Sequence, residues 1–277
     1  MKDLRARLGY GTVLVAAVVG LCWLDRGAAG PHLTIGVLTA LTLLALLECC
    51  RMLDAAGLRP QAPAAFALGL ATLAGAAFGW HWSVTAALPL GLYFVYEVLR
   101  REPQGAALRM GGTLLAWALV PLMLAQAVSL RAEAPHGWAW LIFLVAVCKA
   151  GDSGAYLIGT AFGRHKLIPS VSPNKSWEGA AASLACGALA GWAVAATAFP
   201  AGAAPALALW LPAALVTNVG AQFGDLIESL VKRSGSTKDS AALLPAFGGA
   251  FDLVDSFLLA SPALALFLRF AGYSSPG

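Results

Sequence analysis

Nine apolar runs, at about 11–24, 32–50, 63–80, 83–99, 111–130, 137–158, 177–199, 203–224 and 247–270, divide this 277-residue chain. Stretches of about 17 to 25 apolar residues are long enough to cross a hydrocarbon core as helices, whereas barrel strands would alternate over about ten residues. No such alternation is present. With 59% of residues hydrophobic and a mean hydropathy of +0.75, the chain carries more apolar surface than a soluble core can hide. The expectation is an all-α polytopic membrane protein of about nine transmembrane helices, forming one domain over residues 1–277. The first run is short and follows Lys2, Arg5 and Arg7, so a signal peptide competes there; a membrane helix is the preferred reading.

Loop charges test the count. The N-terminus and every second loop hold 14 of the 18 Lys and Arg residues, the opposite side holds Arg26, Arg131 and Arg269, and Lys149 falls inside a run. The positive-inside rule then places the N-terminus and the charged loops in the cytoplasm. Glu48 and Glu97 fall at helix ends before Arg51 and Arg100, where ion pairs with snorkelling arginines are expected. The five cysteines lie in or beside apolar runs with no metal-ligand spacing, and read as small buried hydrophobes.

Against this background, residues 224–256 gather Asp225, Glu228, Asp239, Asp252, Asp255, Lys232, Arg233 and Lys238, in a chain that is only 12% charged. An ionisable residue at the centre of a membrane helix costs roughly 2.5 to 3.5 kcal/mol, so such a cluster belongs at a membrane surface or in a wet cavity, and marks a functional site. Asp225, Glu228, Ser229 and Lys232 are spaced to share one helix face, and Asp252 and Asp255 are three apart at the start of the ninth run. Converging carboxylates need a cation. Mg²⁺ suits oxygen ligands and is usually held by one or two carboxylates plus substrate phosphates, which the basic residues would also serve. The bland alternative is a solvated loop with helix-end ion pairs.

A second constellation runs from Lys149 to Gly179. Lys149 and Asp152 can neutralise each other across one helical turn, and the following loop supplies Arg164, His165, Lys166, Asn174, Lys175 and Ser176, stiffened by Pro169 and Pro173. Ser176 reads as the N-cap of the next helix, with Glu178 in its first turn. No phosphate loop, dinucleotide fingerprint, zinc-protease motif or nucleophile elbow occurs, and the modest net charge of +4 does not suggest nucleic acid. Together the two constellations point to phosphoryl-type transfer at a membrane surface.

The run from Ser229 to Asp239 (S-L-V-K-R, then K-D), the following Leu-Pro, and G-G-A-F-D-L-V-D from Gly248 to Asp255 resemble the C-terminal pattern of bacterial phosphatidate cytidylyltransferases, the CDP-diacylglycerol synthases. D-S-G-A-Y from Asp152 and S-P-N-K-S-W-E-G from Ser172 resemble that family's other shared segment. The likeness covers about residues 145–256, with active-site segments 145–179 and 218–256. It departs at Phe247 and Leu253, where the family pattern has His and Arg, so roles carried by those side chains do not transfer.

The resemblance implies transfer of a cytidylyl group from CTP to phosphatidic acid at the cytoplasmic face of the cell (inner) membrane. It implies Mg²⁺ on Asp225 and Asp252, supported by Asp255, with a second, monovalent cation left open. Lys232, Arg233 and Lys238 would bind phosphates. Ser229, Asp239, Asp152, Asn174, Lys175, Ser176 and Glu178 would complete the pocket. Partners expected are CTP, phosphatidic acid and membrane lipid, and self-association, if any, as a homodimer. A CTP-dependent lipid-alcohol kinase and a cation-coupled transporter are the rival readings. A CDP-alcohol phosphotransferase is disfavoured, since its opening motif would need glycine at Ser256.

Overall fold

In hydrocarbon every backbone N–H and C=O must be paired within the protein, so apolar runs of this length become helices. The computed structural model of the chain describes residues 16–26, 30–235 and 249–273. Among the described residues nine helices follow in order: α1 (16–24), α2 (His32–Ala55), α3 (Ala62–Ala77), α4 (Trp82–Arg100), α5 (Ala106–Glu133), α6 (Gly137–Phe162), α7 (Trp177–Thr197), α8 (Leu207–Ser234) and α9 (Ala250–Phe270). They answer one for one to the nine apolar runs. Seven of them, α2 and α4 to α9, are long and apolar enough to cross a membrane. At 16 residues α3 is about 24 Å long, short of a hydrocarbon core of about 30 Å.

Within α5 the segment Ala118–Leu122 takes a π-helical turn around Pro121, whose missing N–H already interrupts the α-helical ladder. The Pro121 ring rests against Gly69 of α3, where an added Cβ would lie 3.0 Å from the ring. The connection between α6 and α7, expected as a stiff loop, is instead a two-stranded antiparallel hairpin, β1 (Lys166–Ile168) and β2 (Ser172–Ser176), with Lys166 opposite Ser176 and Ile168 opposite Ser172. Pro173 is tolerated because the ribbon has only one ladder, leaving its other edge unpaired. Ser176 caps α7 as expected, accepting the Gly179 amide at 3.2 Å.

Packing is densest where glycines let backbones approach. Buried aromatics of α6, Trp140 and Phe143, centre one core, while Leu46 and Leu53 of α2 pack with Phe251 and Leu258 of α9 in another. Between α8 and α9 the contact is through backbone: a Cβ added at Gly224 would stand 2.3 Å from the Asp255 carbonyl oxygen. That crossing fixes how the acidic residues of the two helices face each other. By contrast α4 packs mainly on α3 and leaves Leu92, Val98 and Leu99 exposed on its outer side.

The helix-end ion pairs take different partners from those expected. Glu97 accepts from Gln61 and pairs with Arg109 at 3.5 Å, while Arg100 binds Glu102 at 2.8 Å and Gln61 at 2.7 Å. Among the described residues Glu48 pairs with no arginine; it accepts the Phe251 backbone amide at 2.8 Å, and Arg51 is exposed. At the opposite end of the bundle Arg131, read as a loop charge, is buried and donates to the Asp25 carbonyl at 2.6 Å. The Asp25 carboxylate accepts the Thr34 amide at 2.8 Å, so one buried group of side chains ties α1, α2 and α5 together.

Candidate active site

Helices α6, α7 and α8 and the hairpin line an open cavity of about 730 Å³ into which several polar side chains project. Its lining follows from periodicity: Asp152, Tyr156, Gly159 and Thr160 repeat at three and four along one face of α6, with Gly163 just past its end, and Ser172, Asn174 and Ser176 alternate along β2. Lys166 and Lys175 of the hairpin, Ser183 of α7, and Gln222 and Asp225 of α8 complete it. Asp225 lies nine residues before the end of α8, about 14 Å down the helix, so the site is recessed below the helix ends.

Two lysines in and beside the cavity, Lys175 and Lys149, have acidic partners. Lys175 Nζ lies 3.1 Å from Asp225 Oδ2 and donates to the Gln222 carbonyl at 3.3 Å. Lys149 Nζ lies 3.1 Å from Asp152 Oδ2 and 3.0 Å from Ser256 Oγ, joining α6 to α9. Asp152 and Asp255 are the carboxylate neighbours of Asp225. Three carboxylates facing two lysines leave this inner group with a surplus of negative charge. A second group lies towards the end of α8, where Lys232 bridges Glu228 and Asp252, the latter at 2.8 Å.

Of the residues singled out in the sequence, Asp152, Asn174, Lys175, Ser176 and Asp225 therefore line one cavity, with Asp255 beside it. Ser229 is half-buried one turn beyond Asp225. Asp252, expected to share a metal with Asp225, instead faces Lys232 and Glu228. Glu178 binds the ring and backbone of His165, at 2.7 Å and 3.2 Å, and braces the hairpin's root. Arg233 donates to the Val171 carbonyl at the hairpin turn. Leu253 lines a small apolar cavity with Leu124, Leu144 and Phe257. Lys238, Asp239, Phe247 and Gly248 lie outside the described residues. Among the described residues no three His, Cys, Asp or Glu side chains gather at metal-holding distance.

Sequence reasoning missed Asn218, Gln222 and Ser183. Asn218 is fully buried; its amide donates to the Ser183 carbonyl at 3.1 Å and its oxygen accepts from Ser183 Oγ at 3.1 Å and Gln222 Nε2 at 2.9 Å. Asn218, Gln222 and Asp225 step by four and three through an apolar run, a polar stripe that could have been read from spacing alone. Replacing Asn218 with Leu strips the Ser183 hydroxyl of its acceptor inside the bundle and leaves Gln222 with the Ala180 carbonyl at 3.3 Å. Thermal unfolding of the purified protein should show a loss of roughly 1 to 3 kcal/mol, the cost of an unmade buried hydrogen bond.

A family model described as the cytidylyltransferase family matches residues 5–271. The chain belongs to the cytidylyltransferase family. Relatives of this chain include the phosphatidate cytidylyltransferase of Mycobacterium bovis, 31% identical over 280 residues that cover 93% of this chain and 85% of that one. The Mycobacterium tuberculosis protein of the same name is 31% identical, covering 93% and 80%. The Brucella suis phosphatidate cytidylyltransferase is 43% identical over 140 residues, half of each chain. The family membership that the motifs implied is thus met over nearly the whole cytidylyltransferase chain.

Proposed function

We infer that this chain is a phosphatidate cytidylyltransferase, joining CTP and phosphatidic acid to give CDP-diacylglycerol and pyrophosphate for phospholipid synthesis. The observation that carries the reading is the recessed cavity in which the motif residues Asp152, Asn174, Lys175, Ser176 and Asp225 meet, in a chain of this family. A lipid phosphate oxygen forms the new bond to the α-phosphorus of CTP, and the bond from that phosphorus to the bridging oxygen of the β-phosphate breaks, releasing pyrophosphate. Phosphatidate is already anionic, so no strong base is needed. Lys175, Lys149 and Lys232 stand where they can exchange a carboxylate partner for a phosphate oxygen, and the hydroxyl and amide groups of Ser176, Asn174 and Gln222 offer donors around it. Asp252 and Glu228 hold Lys232 in place.

The donor set fits Mg²⁺. Asp225 and Asp255 come from two helices pressed together at Gly224, supply only oxygen, and are two carboxylates, the number this ion usually takes alongside substrate phosphates. Those two residues would hold it, with Asp152 nearby. When bound, such an ion stabilises charge on the phosphate oxygens. The loop-charge bias supports a cytoplasmic mouth in the inner membrane, where CTP is present.

Purified protein given labelled CTP, phosphatidate and Mg²⁺ should yield CDP-diacylglycerol and pyrophosphate, and chelating the metal should abolish both products. Lipid phosphate with CDP would mark a lipid-alcohol kinase instead. Cation uptake without any CTP turnover would mark a transporter.

A further inference from the structure

Glu48 is an ionisable residue near the end of a membrane helix, is 1% exposed, and has no cationic partner among the described residues. One oxygen, Oε2, accepts the amide of Phe251 at 2.8 Å; the other, Oε1, is buried with no hydrogen-bond partner among the described residues. Burying a carboxylate so incompletely satisfied is costly, and an apolar side chain would insert into a bilayer more readily. What the carboxylate does there is specific. The N-cap of α9 is Gly249, which has no side chain and makes no cap of its own, and Phe251 is the second residue of the helix. That is the amide an N-cap side chain would accept from, and the helix N-terminus also favours a negative charge. Glu48 therefore caps α9 from a different helix, 203 residues away in sequence.

The residue after Phe251 is Asp252, and Asp255 follows one turn later. We propose that Glu48 is a positioning residue for cytidylyl transfer: by capping α9 from α2 it fixes the first turn of α9, and with it the Asp252–Lys232 pair and the placement of Asp255 beside Asp225. Phe251, fully buried among Leu46, Cys49, Cys50 and Leu53, holds the same turn by packing. Gly224 pins the next turn, at Asp255 and Ser256, against α8. The cap is the one polar contact of the three. The proposal rests on the reading above that α9 contributes to the site.

The test compares full-length wild type, Glu48→Gln and Glu48→Ala in detergent. Gln keeps an acceptor oxygen for the Phe251 amide; Ala keeps none. Glu48→Ala should lower kcat by about fivefold, the equilibrium factor of a typical lost cap, with KM for CTP within about twofold of wild type, and should speed amide exchange at the start of α9 alone. Glu48→Gln should restore slow exchange there and most of kcat. Wild-type exchange and wild-type kcat in Glu48→Ala would overturn the proposal. So would equal losses in both variants with exchange raised throughout the bundle. If wild type makes no CDP-lipid, the functional reading fails instead, and the exchange comparison alone decides whether Glu48 holds α9.

Discussion

Asp225→Asn lowers cytidylyl transfer by at least about a hundredfold, equivalent to about 2.7 kcal/mol of transition-state stabilisation, while the protein inserts and folds. Asn is close to isosteric and still offers Lys175 an oxygen, so the hairpin contact survives. The variant loses the charge that would share a metal with Asp255. Because Asp225 sits among other carboxylates, removing its charge also relieves repulsion, and thermal stability should hold or rise. Activity lost without stability lost separates a chemical role from a structural one. The check is labelled CDP-diacylglycerol formation beside a melting curve; wild-type turnover in the variant would dismiss Asp225 as a ligand.

Gly224→Ala should cost more than tenfold in transfer for the opposite reason, because it moves backbone. The new methyl would fall 2.3 Å from the Asp255 carbonyl oxygen and 3.4 Å from the Ser256 Cα, atoms that cannot swing aside. The helices must separate. Overpacking of this kind costs roughly 1 to 3 kcal/mol, and here the displaced residues are Asp255 and Ser256, the latter a partner of Lys149. Gly36→Ala in α2 is the control: no atom lies within 4 Å of the added Cβ, and helix propensity alone favours Ala by about 0.8 to 1.0 kcal/mol. Melting temperature should fall in the first variant and hold or rise in the second. Equal behaviour of the two would show that the α8–α9 crossing does not set the site.

The helices were legible because hydrophobic length is a strong signal, but their ends were not. Hydropathy ends the eighth run near residue 224, whereas α8 continues to Ser234, since charged residues outside hydrocarbon extend a hydrogen-bonded ladder as readily as apolar ones. The same cause carries α2 to Ala55 and starts α5 at Ala106. Periodicity correctly put Asp225, Glu228, Ser229 and Lys232 on one helix, and motif order put the two constellations in one protein. It could not say which side chains meet. Lys175 and Asp225 are 50 residues apart, and Lys149 and Ser256 are 107 apart; no local pattern encodes either pairing. Spacing put Asp252 and Asp255 one turn apart and the resemblance ranked Asp252 first beside Asp225, whereas the structure sets Asp252 against Lys232 and the Asp255 backbone against Gly224. The hairpin escaped notice because its prolines read as loop punctuation, while strand pairing depends on a partner across the turn.

The thin contact of α4 with the rest of the bundle has an evolutionary corollary. A face whose main neighbour is lipid is judged only on being oily, so the outer positions of α4, such as Leu92, Val98 and Leu99, can drift while buried Tyr93 and Glu97 cannot. A residue such as Gly224 is judged on a single methyl. A saturating mutational scan of this chain should accordingly divide it into a permissive margin and an unforgiving hub, with little between them.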